Sequence, residues 1–242
     1  MLKEKFFKKY IANFIIICVL VIVSVMAFSS ESVQTANVQS LRAFYNGGNE
    51  CTEISLMVNV YTGETYVQKM LDIAKEENIK LTFFVGGLWV EKNVELLKTI
   101  SDLGHEIGNH GYMHKDSDKL TSERLKEEIL SNHKLVKSII SKDMTLFAPP
   151  SGAYSEQNLQ VIDSLGYKTI MWSKDTIDWR DQNSSLIYER ATKNACNGDF
   201  ILMHPTASTV ECLQKIIVFL KSENFQIVTV SENLKNCEDF CM

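Results

Sequence analysis

The sequence predicts an α/β fold in which parallel strands alternate with helices, either as a barrel or as an open doubly wound sheet. Seven short runs of apolar, β-branched or aromatic residues recur along the chain, and an amphipathic segment follows each of the first six. Alternation of this kind is typical of parallel sheets. Polar residues also follow the strands at the edge where such folds gather their reactive groups.

The predicted strands are separated by turn and helix signals. Pro149 and Pro150 end the fourth strand, because proline cannot donate to a sheet ladder. The strands are predicted at residues 54–60, 81–85, 106–109, 145–148, 167–172, 200–203 and 225–230.

The predicted helices carry apolar residues at helical spacing, as Val67, Met70 and Leu71 do in the first. Thr121 begins a typical helix cap before the longest helix, and Gly166 is a typical helix end. The helices are predicted at residues 67–74, 89–103, 121–140, 155–165, 185–194 and 210–221.

A basic and apolar leader precedes the domain. Four lysines lie within residues 1–9, and residues 10–28 are almost entirely apolar. Their length approaches the ~20 residues that a membrane-spanning helix needs, and the lysines indicate a cytoplasmic tail. We expect a signal-anchor that holds the domain on the extracytoplasmic side of the cell membrane. The alternative is a signal peptide cleaved near Val25-Met26-Ala27, which would give a secreted protein.

The part beyond the leader is acidic. Without the leader, 21 basic and 29 acidic residues give a net charge of −8, which argues against a nucleic-acid partner. Residues 29–50 have the composition of a spacer, residues 51–236 suffice for one domain, and residues 237–242 form a tail. The five cysteines outside the leader lack Cys-x-x-Cys spacing, so we expect mostly free or peripherally paired thiols.

Polar residues follow five of the predicted strands. In a parallel sheet these positions meet at one mouth. They are Asn59, His110, residues 149–152, Asp175 with Asp178, and His204.

Three of the five histidines lie within residues 104–114. His110 and His114, four residues apart, can point at one metal ion from a single turn. The segment lacks the two-histidine helix of a zinc protease, so further ligands must come from elsewhere. The alternative is a polar mouth without metal.

The chain resembles the NodB-type polysaccharide deacetylases, carbohydrate esterase family four, from about Cys51 to Leu234. The family's motifs stand here in order. They are Gly-His-Glu-Ile-Gly-Asn-His within residues 104–114, Ala148 to Gly152 in place of Arg-x-Pro-x-Gly, Asp175 to Trp179 as Asp-x-x-Asp-Trp, Leu202 to His204 as Leu-x-His, and the closing segment Gln226 to Leu234.

The resemblance implies an irregular (β/α) barrel that removes acetyl groups from N-acetylated glycans such as chitin or peptidoglycan. Members use a divalent metal, often zinc, to activate water and an aspartate as general base, and a histidine protonates the departing amine. By position, His110 and His114 would be metal ligands, and His204, oriented by Asp178, would be the general acid. The implied substrate contacts are Pro150, Gly152, Tyr154 and Trp179.

The first motif departs from the family. Thr-Phe-Asp-Asp-Gly reads Met-Val-Asn-Val-Tyr at residues 57–61, so Asn59 stands at the base and Val60 at the metal ligand. An amide does not take up a proton at neutral pH, and an isopropyl group has no lone pair. Ala148 replaces the arginine that would brace the base, which avoids an unpaired charge. These variants resemble the sporulation-associated YlxY-like branch of the family.

Two functions follow from the resemblance and its departures. One is a metal-dependent deacetylase of cell-wall glycan with an altered first motif, in which Glu64 or Asp175 could replace the base. The other is a pseudoenzyme that keeps the cleft and binds glycan or acts as a cell-wall scaffold.

Overall fold

The computed structural model describes residues 41–48 and 52–238. The predicted cytoplasmic tail, the anchor and most of the spacer lie outside these residues, as do residues 239–242 of the C-terminal tail. Cys51 and Cys241 therefore also lie outside them. Within the described ranges, no helix is long and apolar enough to cross a membrane. Cys196 and Cys212 are free thiols.

A curved parallel sheet forms the centre of the domain. Its strands in the described residues are Ala43–Phe44 (β1), Glu53–Val60 (β2), Thr82–Val85 (β3), Glu106–Asn109 (β4), Leu146–Phe147 (β5), Lys168–Ile170 (β6), Lys174–Asp175 (β7), Phe200–Met203 (β8) and Gln226–Ile227 (β9). The order is β1-β6-β5-β4-β3-β2-β8-β7, with β9 also paired to β2.

The segment 168–175 brings the two sides of the sheet together. Its first part, β6, pairs with β5, and its last part, β7, pairs with β8. One continuous stretch of chain therefore spans from one side of the sheet to the other, and the sheet curls into an irregular barrel. This architecture confirms the predicted parallel α/β class.

Helices cover the outside of the sheet. In the described part of the chain they are Glu64–Glu76 (α1), Gly87–Lys92 (α2), Val94–Asp102 (α3), Ser122–Ile140 (α4), Glu156–Ser164 (α5), Asp178–Asp181 (α6), Ser184–Thr192 (α7), Ala207–Ser222 (α8) and Val230–Glu238 (α9). Short 3₁₀ turns lie at Ser117–Lys119 and Pro150–Gly152.

All seven predicted strands are present, and the differences lie at their ends. Strands β1 and β7, of two residues each, are additional to the predicted set. The helix predicted at 89–103 is two helices, because Asn93 leaves helical geometry with φ −132°. The strand predicted at 225–230 ends early, because Thr229 and Glu232 form reciprocal hydrogen bonds that start α9.

Alternation along β2 divides the core into two layers. Val58 and Val60 pack in the cluster between the sheet and the helices. Met57 belongs to a second cluster inside the barrel with Phe84, Leu202 and others, which α9 closes through Val230 and Leu234. Because successive side chains of a strand point to opposite faces, Asn59 shares the inner face with Met57 and Val60 faces outward to the helices.

Candidate active site

The loops after the parallel strands meet at one mouth, as the sequence predicts. The His110 ring contacts the backbone of Ala148, and His204 contacts Asp178. Gly63 adopts a left-handed φ of 85° and lies so close to the Pro205 carbonyl that a side chain would collide with it. The loop after β2 is therefore held against the loop after β8.

His110 is held as a neutral imidazole with a fixed tautomer. Its side chain is only 1% exposed. Burial, with a contribution from nearby His114, lowers the pKa of His110 to about 3. The ring Nδ1 lies 2.8 Å from the carbonyl oxygen of Ala148. Because a carbonyl only accepts, Nδ1 must carry the proton, which leaves the lone pair of Nε2 available.

His114 lies beside His110 in a constrained backbone. Its φ of 54° is left-handed, and burial lowers its pKa. The two imidazole centroids are 4.9 Å apart at an interplanar angle of 72°. Two rings on one zinc ion would each lie about 3 Å from it, so a separation near 5 Å is compatible with shared ligation. On its other side, His114 stacks on Tyr61 with centroids 4.3 Å apart.

The long helix α4 supports this loop through buried polar side chains that the sequence analysis did not single out. Glu128, 6% exposed, accepts hydrogen bonds through Oε2 from the backbone N–H groups of Tyr112 (2.9 Å) and Met113 (2.7 Å). Asn132 donates to the side-chain oxygen of Asn109 at 2.9 Å. In the sequence, the signal for this supporting role is that a glutamate and an asparagine lie on the apolar stripe of α4.

His133, on the same helix, uses both ring nitrogens in hydrogen bonds. Its Nδ1 lies 2.5 Å from the Tyr167 hydroxyl, and its Nε2 lies 2.9 Å from Asp143. Tyr167 in turn accepts a hydrogen bond from the side-chain amide of Asn109. A polar chain therefore leads from the surface to the residue before His110.

Asp178 and His204 form a buried, directional pair. Asp178 has no exposed surface. Its Oδ1 lies 2.8 Å from His204 Nδ1, and its Oδ2 accepts from the His204 backbone N–H and the Thr209 hydroxyl, both at 2.6 Å. The pair holds His204 with its Nδ1 proton directed at Asp178, so that the neutral form of the ring carries its lone pair on Nε2. Thr209, three residues into α8, is a third member that the sequence did not indicate.

The first motif provides neither a carboxylate base nor a carboxylate ligand, although the amide oxygen of Asn59 could act as a weak metal donor. Asn59 is 4% exposed, and its Oδ1 accepts no hydrogen bond from any group in residues 41–48 or 52–238. Val60 is fully buried among apolar side chains on the helix side. The described residues contain no group of three or more His, Cys, Asp or Glu side chains placed to hold a metal ion. The histidine pair is compatible with an ion, but the donor set does not fit the three-ligand site expected of the family.

The two candidate replacement bases, Asp175 and Glu64, each have another role in the structure. Asp175 accepts a hydrogen bond through Oδ1 from the Ile177 backbone N–H at 2.8 Å. Glu64 is exposed in the first turn of α1, where a negative charge favours the helix.

The residues predicted to contact substrate differ in exposure. Pro150 is buried, and Gly152 has φ 65° and lies against Trp172. Trp179 is 57% exposed, which suits a stacking surface. Tyr154 shares a hydrogen bond of 2.9 Å with the Tyr45 hydroxyl, which raises the pKa of Tyr154 to about 12.

Comparisons with known proteins agree with this architecture. A family model described as polysaccharide deacetylase matches residues 46–170. The uncharacterized protein YlxY of Bacillus subtilis is 36% identical over 205 residues, an alignment that covers 84% of this chain and 64% of YlxY. This chain thus spans less than two thirds of YlxY. A peptidoglycan-N-acetylglucosamine deacetylase of Bacillus cereus is 34% identical, over 71% of this chain and 83% of its own length.

Among solved structures, the chain is similar to wild-type BA3943 of Bacillus anthracis, described as a CE4 family pseudoenzyme. Identity is 32% and the TM-score is 0.78, with 81% of this chain and 69% of the other covered. A BA3943 mutant with restored enzymatic activity matches with the same TM-score at 30% identity, over 81% of this chain and 72% of its own. The family model, these relatives and the shared fold show that the chain belongs to the polysaccharide deacetylase family, carbohydrate esterase family four, in its YlxY-like branch.

Proposed function

We propose that this protein binds N-acetylated cell-wall glycan in its mouth without hydrolysing it. The observation that carries the proposal is the geometry of the first motif. A neutral asparagine stands at the base position inside the barrel, and the neighbouring valine packs outward into the helix-side core.

Amide hydrolysis at neutral pH needs a group that removes a proton from the attacking water. Asn59 does not take up a proton at that pH, and Val60 has no atom that could bind an ion. Ala148 is packed inside the barrel and has no charge with which to brace a base. The mouth therefore keeps its shape and its hydrogen-bonding groups but lacks the group that starts the reaction.

The relatives support both parts of the proposal. The Bacillus cereus relative is named for deacetylation of N-acetylglucosamine in peptidoglycan, which gives the class of glycan. The Bacillus anthracis structure is described as a pseudoenzyme, which agrees with a loss of hydrolysis in this part of the family.

A slow deacetylase is the second candidate, because one part of the machinery is in place. The Asp178–His204 pair has the geometry of an oriented general acid, with Thr209 fixing the aspartate. The lone pair of His110 is also free. This candidate needs a base, and it needs a metal donor other than a His, Cys, Asp or Glu side chain of residues 41–48 and 52–238, such as the amide oxygen of Asn59.

The two candidates differ in a direct assay. We expect the purified exported domain to bind peptidoglycan and chitooligosaccharides, release no acetate and contain no stoichiometric zinc. A variant with Asn59→Asp, Val60→Asp and Ala148→Arg should release acetate. Wild-type acetate release with bound zinc would exclude the pseudoenzyme.

The first-motif assignment has its own control. Asn59→Asp alone restores a carboxylate inside the barrel but no third ligand, and it should stay inactive. Because Val60 and Ala148 are fully buried, the triple variant must be shown to fold, for instance by circular dichroism. A folded triple variant without any activity would show either that the motif has been assigned to the wrong residues or that the outward direction of position 60 keeps a carboxylate there away from the histidine pair.

We also propose that the domain lies on the extracytoplasmic side of the cell membrane, anchored by residues 10–28, and that it acts in the cell wall during sporulation. The basic, apolar leader and the YlxY-like motifs support this placement. Protease treatment of intact protoplasts should remove the domain from an anchored protein, whereas a cleaved leader would leave it in the medium.

A further inference from the structure

Tyr61 places an aromatic ring over the histidine pair. It follows β2 directly, where the family's first motif has glycine, so the deacetylases that carry that motif have no side chain here. Its ring stacks on the His114 imidazole with centroids 4.3 Å apart and an interplanar angle of 28°. The side chain is nevertheless 45% exposed. One face of the ring is thus covered by His114, while part of the side chain stays open to solvent.

The Tyr61 ring is therefore a preorganised binding surface. The stack on His114 fixes the orientation of Tyr61, and His114 is itself fixed by a left-handed backbone and by the loop that Glu128 holds. A ligand that packs on Tyr61 therefore orders little additional side chain, which reduces the entropic cost of binding.

The surroundings suit a neutral, amphipathic ligand. Met113, which precedes His114, and Trp179, which follows Asp178, are 42% and 57% exposed and offer apolar surface. The nearby carboxylate of Asp116 is paired with Lys119 at 2.5 Å. The acidic domain repels polyanions. A pyranose ring matches these features, because its C–H face packs on an aromatic ring while its hydroxyl and acetamido groups hydrogen-bond.

We propose that Tyr61 is the platform on which one N-acetylhexosamine ring of the glycan stacks, directly beside His114. This inference rests on the proposed glycan-binding function and assigns its affinity to the residue that replaces the glycine of the family's first motif. It explains how a mouth without catalytic metal chemistry can hold a sugar, since the aromatic face supplies contact area that a glycine could not.

The test compares matched variants by calorimetric titration with chitotetraose. Tyr61→Phe keeps the ring and should bind within about two-fold of wild type. Tyr61→Ala removes the ring and should bind at least about ten-fold more weakly, which matches the loss of one stacking contact. Val218→Ala, which trims an exposed apolar side chain on α8, is the control and should bind as wild type does.

The outcomes separate the platform from the function on which it rests. If wild type and Tyr61→Ala bind chitotetraose equally, or the alanine variant binds more tightly, Tyr61 is not a platform although glycan binding stands. If wild type binds neither chitotetraose nor peptidoglycan, the proposed function fails and the platform with it.

Discussion

Replacement of Asp178 by asparagine should reverse the tautomer of His204. The asparagine oxygen must face the His204 backbone N–H, because that group only donates. The amide N–H₂ then faces His204 Nδ1, which now donates to Asp178. Two donors cannot pair, so the imidazole proton moves to Nε2 and Nδ1 becomes the acceptor. The free lone pair at the mouth is lost.

The structure also sets the cost of this change. Asp178 accepts hydrogen bonds from three described groups. A hydrogen bond to a charged group contributes about 1.5–3 kcal/mol and a neutral one about 0.5–1.5 kcal/mol. The loss of roughly 1 kcal/mol per bond is partly offset because no charge remains buried. We expect Asp178→Asn to lower the free energy of unfolding by about 1–3 kcal/mol.

Two measurements check this prediction. Proton–nitrogen correlation spectra of the histidine rings distinguish a protonated ring nitrogen from one with a lone pair, and urea denaturation gives the stability. Asp175→Asn is the matched control, since Asp175 bonds only the backbone of its own loop in the described structure; it should leave His204 unchanged. An unchanged His204 tautomer in Asp178→Asn would refute the reasoning.

Three further predictions follow from the same loops. Glu128→Ala removes the acceptor of two partly buried loop N–H groups and should lower the free energy of unfolding by about 2–4 kcal/mol, because both N–H groups lose their hydrogen-bond partner. Faster amide exchange at Met113 would show it, and unchanged exchange would contradict it. Gly152→Ala should lower the free energy of unfolding more than Gly166→Ala does. Both glycines have a positive φ, but only a Cβ at position 152 would meet the Trp172 ring, at 2.6 Å. Equal unfolding midpoints of the two variants would rule out the clash. The low pKa of His110 keeps it neutral when folded, whereas the unfolded chain binds a proton below about pH 6.5. The contribution of neutral His110 to stability is therefore lost as pH falls from about 6.5 towards 3. The Tm of His110→Gln should decline less steeply with acid than the Tm of wild type. Parallel curves of Tm against pH for the two proteins would refute this.

The sequence predicted the fold class and the mouth well, because both depend on short-range patterns. Strand alternation places polar residues after successive strands, and parallel pairing then brings His110, Asp178 and His204 to one edge. The opposite directions of Asn59 and Val60 also follow from the period of a strand, although the sequence analysis treated the two only as neighbours in a motif.

The hydrogen-bond and stacking partners that come from distant parts of the chain were not predictable from such patterns. Glu128 lies 15 residues along the chain from Met113, and Thr209 lies 31 residues from Asp178; the sequence signals of both are those of ordinary helix positions. Tyr61 meets His114 because β2 and β4 each pair with β3 in a fixed register. Contacts of this kind depend on tertiary packing, which a single sequence does not specify.

The hydrogen bond from His110 to residue 148 goes to the main chain, and this has a consequence for the history of the site. Every amino acid has the same carbonyl, so alanine at position 148 offers His110 the same main-chain acceptor that an arginine there would offer. Loss of the arginine side chain therefore leaves the acceptor of the neighbouring ring in place. A lineage could lose hydrolysis and keep its inherited cleft, and selection could later act again on the same backbone.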